Sequence, residues 1–217
     1  MAPTGSADPY GLRRTALGLV QILIGRGISF DVEKALRKAA KLLPVATSEE
    51  RMHQTVAFVA GRLRGLLLER GYRHDIADSV LAERGNDPYA ATNSVQALAD
   101  WVENPDWPHI LAAYSRSKRI VREYSQEFPL DPDGFIESAE RDLYRAYLAA
   151  RRQVMPDSAV DSLLEALREL VEPITVFFDE VLVMDPNPVL RQNRLALLQR
   201  IASLPQGIMD LSLMLGF

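Results

Sequence analysis

Residues 52–71, "MHQTVAFVAGRLRGLLLERG", decide the fold class of this 217-residue chain. Their large apolar residues recur at spacings of three and four, which is the period of an α-helix with one buried face. Ser48 and Glu49 are typical of a helix start, and Gly71 is typical of a helix stop. The stretch therefore predicts a long amphipathic helix whose buried face comprises Met52, Val56, Val59, Leu63, Leu66 and Leu67.

The same period continues along the rest of the chain, and no stretch shows convincing strand alternation. A further helix is predicted over residues 157–171, and Pro173 is expected to break or restart it because proline has no N–H to donate. Residues 174–184, "ITVFFDEVLVM", are rich in β-branched residues. We predict a helix there, since a lone strand has no partner. The expected fold class is all-α, a helical bundle preceded by a short helical segment.

The positions of the prolines indicate a domain boundary after residue 45. Asp8 and Pro9 have the residue types of a helix N-cap and first helical residue, and Pro44 closes the second helix. We therefore predict a helical segment over residues 1–45 and a helical domain over residues 46–217. Residues 1–7, "MAPTGSA", are expected to be a mobile or cloning-derived start.

Composition excludes several classes of protein. The net charge of −4 argues against a DNA partner, because DNA-coating domains are usually basic. No stretch approaches the ~20 apolar residues of a membrane span, so no membrane partner is expected. The arginines and apolar run near the start lack the cleavage site of a signal peptide. The chain has no cysteine, which excludes disulfides and zinc–thiolate sites and agrees with a cytoplasmic location.

No catalytic or metal site is expected within this chain. The three histidines, His53, His74 and His109, are not spaced as metal ligands. Phosphate-cradling glycine loops and nucleophile elbows are missing from the sequence. The "HD" dipeptide at 74–75 is typical of some metal-dependent hydrolases, but it lacks their further ligands. We interpret it as a helix N-terminus, with Asp75 favourably placed near the helix dipole.

A cationic helix is predicted over residues 111–125. Arg116, Lys118, Arg119 and Arg122 spread over one side of this helix, with no acid among them. The pattern has two interpretations: a solvated surface, or a ridge that neutralises phosphates and binds nucleic acid in a salt-dependent way. The opposite, apolar side comprises Ala113, Tyr114, Ile120, Val121 and Tyr124.

Arg194 falls within the leucine arc of the last predicted helix, residues 189–204. A buried arginine requires a partner, because an isolated charge is very costly to bury. The nearest acids along the chain are Asp179 and Asp185, so we predict that one of them pairs with Arg194 and fastens this helix to the preceding one. Arg191 lies nearer the edge of the arc and is a candidate RNA contact.

Several ordered motifs resemble the C-terminal end of the bacterial glycyl-tRNA synthetase beta subunit. "FFDEVLVM" is followed by a turn, by the helix "LRQNRLALL" and by the ending "MDLSLM". Two earlier stretches, "DPYGLRRTALGLVQIL" at 8–23 and "RLRGLLLERGYRHDIADSVLA" at 62–82, are similar to elements of the same family. The resemblance covers the chain from Asp8 to its end and implies that the chain corresponds to the C-terminal portion of a longer subunit.

The resemblance implies an all-helical anticodon-binding domain of the type shared with arginyl-tRNA synthetase, over residues 46–217. Residues 1–45 would be the helical end of the subunit body. It also implies tRNA-Gly and a catalytic alpha subunit as partners, in a heterotetramer of two alpha and two beta subunits. ATP and Mg²⁺ would serve the complete enzyme, with no cofactor in this chain. Phosphate contacts would come from Arg116, Lys118, Arg119, Arg122 and Arg191, and unpaired bases could stack on Tyr72, Tyr114 or Tyr124.

The sequence allows two alternatives. The domain could be the equivalent region of an arginyl-tRNA synthetase, although the "DPYGLRR" element and the "DLSL" ending argue against it. It could also be a helical module that docks on protein without binding RNA, which the acidic net charge allows.

Overall fold

The computed structural model describes residue 8 and residues 10–217, and these residues form helices without any strand. The predicted all-α fold class is confirmed. Two short 3₁₀ turns, Pro132–Gly134 and Leu211–Leu213, complete the elements of the described chain. The α-helices are α1 (Leu12–Arg26), α2 (Val32–Ala40), α3 (Glu49–Glu69), α4 (His74–Arg84), α5 (Pro88–Val102), α6 (Trp107–Val121), α7 (Ser138–Gln153), α8 (Val160–Glu180) and α9 (Pro188–Ala202).

The chain forms two compact units, Met1–Ala99 and Asp100–Phe217. The division falls within α5 and not after residue 45, where the positions of the prolines predict it. Helix α3 explains the difference, because it follows residue 45 and packs against both α1 and α2, which precede it. The expected mobile start at residues 1–7 lies outside the described residues.

In the first unit, α3 is the central helix and contacts α1, α2 and α4. Five of its six predicted face residues are buried, and Val56 is half-buried. Ser48 caps the helix by accepting a hydrogen bond from the Arg51 N–H. The prediction from residues 52–71 is therefore confirmed in both the face and the start of the helix.

The predicted start of α1 is corrected. The helix begins at Leu12 behind Gly11, which has a left-handed φ of 64°. Asp8 accepts a hydrogen bond from the Arg13 N–H across this turn, at 3.1 Å, and Pro9 lies outside the described residues. A left-handed glycine turns the chain into the helix three residues later than the Asp8–Pro9 pair predicts.

The second unit is a bundle of α6, α7, α8 and α9. Helix α8 packs against α6 and α7, and α9 packs against the same two helices. Its fully buried side chains include Leu143, Leu163, Leu170, Phe177 and Leu197. Both tryptophans of the chain, Trp101 and Trp107, are buried in this unit, so their fluorescence reports on its unfolding.

Pro173 does not break α8, which runs continuously from Val160 to Glu180. The expected break is wrong because the buried face continues through the proline: Leu170, Ile174 and Phe177 are all buried at helical spacing. Burial of several large side chains outweighs the roughly 3 kcal/mol that an interior proline costs. The helix ends at Glu180, and the last residues of the predicted 174–184 helix continue as a non-helical segment.

Gly207 follows α9 in a conformation that a side chain would strain. Its φ is 81°, and a Cβ built there would lie 2.9 Å from the Cβ of Pro156 and 3.2 Å from the Pro156 carbonyl oxygen. We expect Gly207→Ala to lower the free energy of unfolding by about 1–3 kcal/mol. Urea unfolding followed by tryptophan fluorescence measures it. Gln206→Ala, at the exposed neighbour, is the control, and equal stability of the two variants would contradict the prediction.

Candidate nucleic-acid interface

The rotation of α6 is fixed by its buried face. Trp107, Ile110, Tyr114 and Val121 are buried, and the Tyr114 hydroxyl donates a hydrogen bond to the Ala202 carbonyl oxygen of α9 at 3.0 Å. This apolar anchorage leaves the opposite side of α6 to solvent. The predicted apolar side is confirmed for Ala113, Tyr114 and Val121, and Ile120 is half-buried.

Tyr124 departs from its predicted place on that apolar side. Helix α6 ends at Val121 with Arg122 as its C-cap, and the Tyr124 N–H donates to the Val121 carbonyl oxygen in a turn. The turn rotates the tyrosine away from the helical register, so the residue is 36% exposed. The predicted place of Tyr124 on the apolar side is therefore wrong, because it assumes a helix that reaches residue 125.

The outward side of α6 carries the four predicted cations, which we call the α6 cationic face. Arg116, Arg119 and Arg122 are exposed, and Lys118 is half-buried. No acid occurs between Asp106 and Glu123, so the helix contributes only positive side chains along this length. The cations lie toward the C-terminal end of α6, which is also where the helix dipole favours positive charge.

Two of these arginines rest on aromatic rings. The Arg116 Cζ lies 4.2 Å from the ring centroid of Phe178, and the Arg119 Cζ lies 5.3 Å from that of Phe217. Arg116 also has its Nη1 3.9 Å from a carboxylate oxygen of Asp179, while its side chain stays 52% exposed. A guanidinium placed on a ring keeps N–H groups at its edge, which can donate to phosphate oxygens. The geometry thus presents oriented, solvent-accessible donors.

The positive charge of this face is local. The second unit contains twelve Lys and Arg against nineteen Asp and Glu, a formal net charge of −7. A polyanion would therefore be attracted only where cations gather without acids, and it would be repelled elsewhere. The α6 cationic face is such a place, apart from the single exposed contact between Arg116 and Asp179.

Arg194 is buried, as its place in the leucine arc predicts, and it pairs with two carboxylates. Its side chain is 3% exposed; Nε donates to Glu140 at 2.7 Å, and Nη1 donates to Asp185 and to the Leu182 carbonyl oxygen, each at 2.9 Å. The other Glu140 oxygen accepts the N–H groups of Ile136 and Glu137, at 2.8 and 2.7 Å. One arginine therefore joins α9 to the start of α7 and to the segment after α8.

The predicted partners of Arg194 need one correction and one addition. Asp185 makes the ion pair, but Asp179 is on the exposed end of α8 and lies near Arg116 instead. The stronger partner, Glu140, was missed because it is 54 residues away in the sequence. A signal for it exists: Glu140 shares the apolar face of α7 with Leu143 and Tyr147, at spacings of three and seven.

Arg191, the fifth candidate RNA contact, is half-buried and already makes one structural bond. Its Nη1 donates to the Asp185 carbonyl oxygen at 2.9 Å, so Arg191 and Arg194 hold the same turn before α9. An RNA contact by Arg191 stays a prediction, and any such contact would use its other N–H groups.

The "HD" dipeptide forms a helix start, as interpreted from the sequence. His74 is the first residue of α4, and the buried Asp75 is bound by two N–H groups of Arg73 at 3.0 and 2.6 Å. Within the part of the chain that the structure describes, no group of three or more acidic or histidine side chains could hold a metal ion. None of the described helices has both the length and the apolar character to cross a membrane.

Two protein-family models match separate parts of the chain. Residues 1–82 match the family model described as "Glycyl-tRNA synthetase beta subunit", and residues 110–211 match the model of the "DALR anticodon binding domain". The second match includes the α6 cationic face and the Arg194 network.

Curated relatives match almost the whole chain. The chain is 36% identical to "Glycine--tRNA ligase, chloroplastic/mitochondrial 2" of Arabidopsis thaliana, over 99% of this chain and 20% of that protein. It is 35% and 34% identical to the "Glycine--tRNA ligase beta subunit" of Moorella thermoacetica and of Rhodospirillum centenum, over 98% and 97% of this chain. The chain spans about a third of the length of these two bacterial subunits, 32% and 31%.

Proposed function

Because this chain belongs to the glycyl-tRNA synthetase beta-subunit family and carries a DALR anticodon-binding domain, we propose that it binds tRNA-Gly. In this proposal it is the C-terminal, non-catalytic region of a glycine–tRNA ligase. The bundle α6–α9 would hold the anticodon arm and raise the affinity and specificity of the ligase for its tRNA. Glycine activation and transfer would take place elsewhere in the complete enzyme.

The α6 cationic face carries this proposal. Four cations on one helix, two of them resting on aromatic rings, lie within the region that matches the anticodon-binding family. Cations of this kind position a nucleic acid through its phosphates rather than specify its sequence. The buried Arg194–Glu140–Asp185 network supports the face indirectly, because it fixes α9, on which α6 packs.

The remaining partners follow from the same proposal. A catalytic alpha subunit would bind the beta subunit in a heterotetramer of two alpha and two beta subunits, with ATP and Mg²⁺ acting in the complete cytoplasmic enzyme. The first unit offers surface for a protein contact: Ile22, Leu42 and Val45 are large apolar residues with high exposure. An apolar cavity of about 630 Å³ also opens among α1, α2 and α3, lined by residues including Leu12, Leu19 and Phe58.

A filter-binding assay tests the proposal. The 217-residue chain is titrated with tRNA-Gly and with tRNA-Gly whose anticodon bases are altered. We expect the altered anticodon to weaken binding about tenfold or more, the range that a lost base contact produces. A tRNA-Gly altered only in its acceptor stem is the control, and it should bind as the unaltered tRNA does. Equal binding of all three RNAs would contradict anticodon recognition.

A further inference from the structure

Tyr124 stands apart from the other aromatic residues of the second unit. It is the exposed one, at 36%, whereas Phe178, Phe217 and Tyr144 are half-buried and the rest are buried; the structure describes every residue of this unit. An aromatic ring left in water forgoes the stabilisation that burial would give it. Of the other two tyrosines named as stacking candidates, Tyr114 is buried, and Tyr72 is half-buried with its hydroxyl bonded to Gln96.

The exposed ring is nevertheless held in place. Its centroid lies 5.5 Å from that of the buried Phe128, in a T-shaped arrangement. The Phe128 N–H donates to the Gln199 side-chain oxygen at 3.0 Å, and the Gln199 amide donates to the Gln126 carbonyl oxygen at 2.8 Å. An ion pair from Arg200 to Glu127, at 3.1 Å, adds a third tie to α9. The ring is therefore presented in a fixed position, which lowers the entropic cost of binding a ligand.

The electrostatic surroundings favour a neutral ligand at this ring over a phosphate. Tyr124 follows the C-terminal end of α6, where the helix dipole contributes partial negative charge, and Glu123 is exposed beside it. Arg119 and Arg122 lie in the last turn and the cap of the same helix. A single strand could thus place its phosphates along the α6 cationic face and an unpaired base at the end of the helix.

We propose that Tyr124 is a stacking platform for an unpaired base of the anticodon loop, a role that rests on the proposed binding of tRNA. Single-stranded loops are recognised by splayed bases that stack on aromatic side chains. One such stack contributes little to salt dependence, since it neutralises no phosphate. Tyr124 and the α6 cationic face therefore make separable contributions to binding.

The test compares Tyr124→Leu and Tyr124→Phe with the wild-type 217-residue chain. The probes are the anticodon stem–loop of tRNA-Gly and a fully paired RNA duplex of equal length. We expect Tyr124→Leu to weaken stem–loop binding about tenfold, with the duplex affinity and the salt slope unchanged. Tyr124→Phe, which keeps the ring and its packing on Phe128, should bind within about twofold of wild type, because every base can stack on it. Far-UV circular dichroism verifies that the variants keep the fold.

A second readout needs only the wild-type chain and Tyr124→Leu. A stem–loop with 2-aminopurine in the anticodon should lose fluorescence on binding wild type, through stacking, and keep it on binding Tyr124→Leu. If Tyr124→Leu lost as much affinity for the duplex as for the stem–loop, or lost no affinity for the stem–loop, the role of Tyr124 would be overturned while tRNA binding would stand. Absence of any binding by the wild-type chain would overturn both.

Discussion

Replacing Arg194 by methionine is expected to lower the free energy of unfolding of the second unit by about 3–5 kcal/mol. The substitution leaves the Glu140 carboxylate, 1% exposed, buried without its charged partner. It also removes the hydrogen bonds to Asp185 and to the Leu182 carbonyl oxygen. Methionine is unbranched and fills the space of the arginine's apolar stem, so the loss reports mainly on charge and hydrogen bonding.

Two further variants distinguish the contribution of the buried ion pair to stability from that of an exposed ion pair. In Arg194→Met/Glu140→Gln, the glutamine oxygen can still accept the N–H groups of Ile136 and Glu137, and the unpaired buried charge at position 140 is gone. We expect it to recover part of the loss. Arg200→Ala, on the same helix, breaks only the pair with the exposed Glu127 and should cost less than about 1 kcal/mol.

Urea unfolding followed by tryptophan fluorescence measures all three variants, because Trp101 and Trp107 are both buried in the second unit. If Arg194→Met were no less stable than Arg200→Ala, Arg194 would not stabilise the packing of α9 as its contacts indicate. Failure of the double variant to recover stability would show that the uncompensated charge of Glu140 is not the main cost.

The helices could be predicted from sequence because their signals are local. The buried face of α3 follows from residues at spacings of three and four, and its cap follows from Ser48 alone. Helix ends were harder to predict where long-range packing decides them. Pro173 remains inside α8 because burial on both sides of it outweighs its local cost, and α6 ends at Val121 because a turn intervenes.

The candidate site likewise contains residues that a local pattern predicts and residues that only long-range contacts place. The four cations of the α6 cationic face could be found from one helix, since their pattern needs only the period and the absence of acids. The partner of Arg194 could not be assigned, because nearness along the chain favoured Asp179 and Asp185 over the distant Glu140. The hydrogen bonds between the Gln199 side chain and the backbone of residues 126 and 128 likewise join segments more than seventy residues apart. The exposure of Tyr124 depends on these hydrogen bonds and on where α6 ends.

Removal of three cations from α6 is expected to produce the largest change in RNA affinity. In Arg116→Ala/Lys118→Ala/Arg119→Ala, up to three phosphate contacts are lost. Each phosphate contact contributes about 0.9 to the slope of log K against log salt, so three contacts raise the affinity at 0.1 M salt, relative to 1 M salt, by roughly 500-fold. Arg116 contributes least if its contact with Asp179 persists, because that carboxylate offsets part of its charge.

A matched variant controls for net charge. Arg145→Ala/Arg152→Ala/Arg168→Ala removes three exposed cations from α7 and α8 of the same unit and changes the charge equally. A general electrostatic attraction would weaken alike in both triple variants. A defined phosphate site on α6 would weaken only in the first.

The measurement that tests tRNA binding most directly is the affinity of the 217-residue chain for tRNA-Gly across a salt series, for wild type and both triple variants. We expect a steep salt slope for wild type and for the α7–α8 variant, and a slope smaller by roughly one per lost contact for the α6 variant. Equal slopes for all three proteins, or no binding by the wild-type chain, would contradict it.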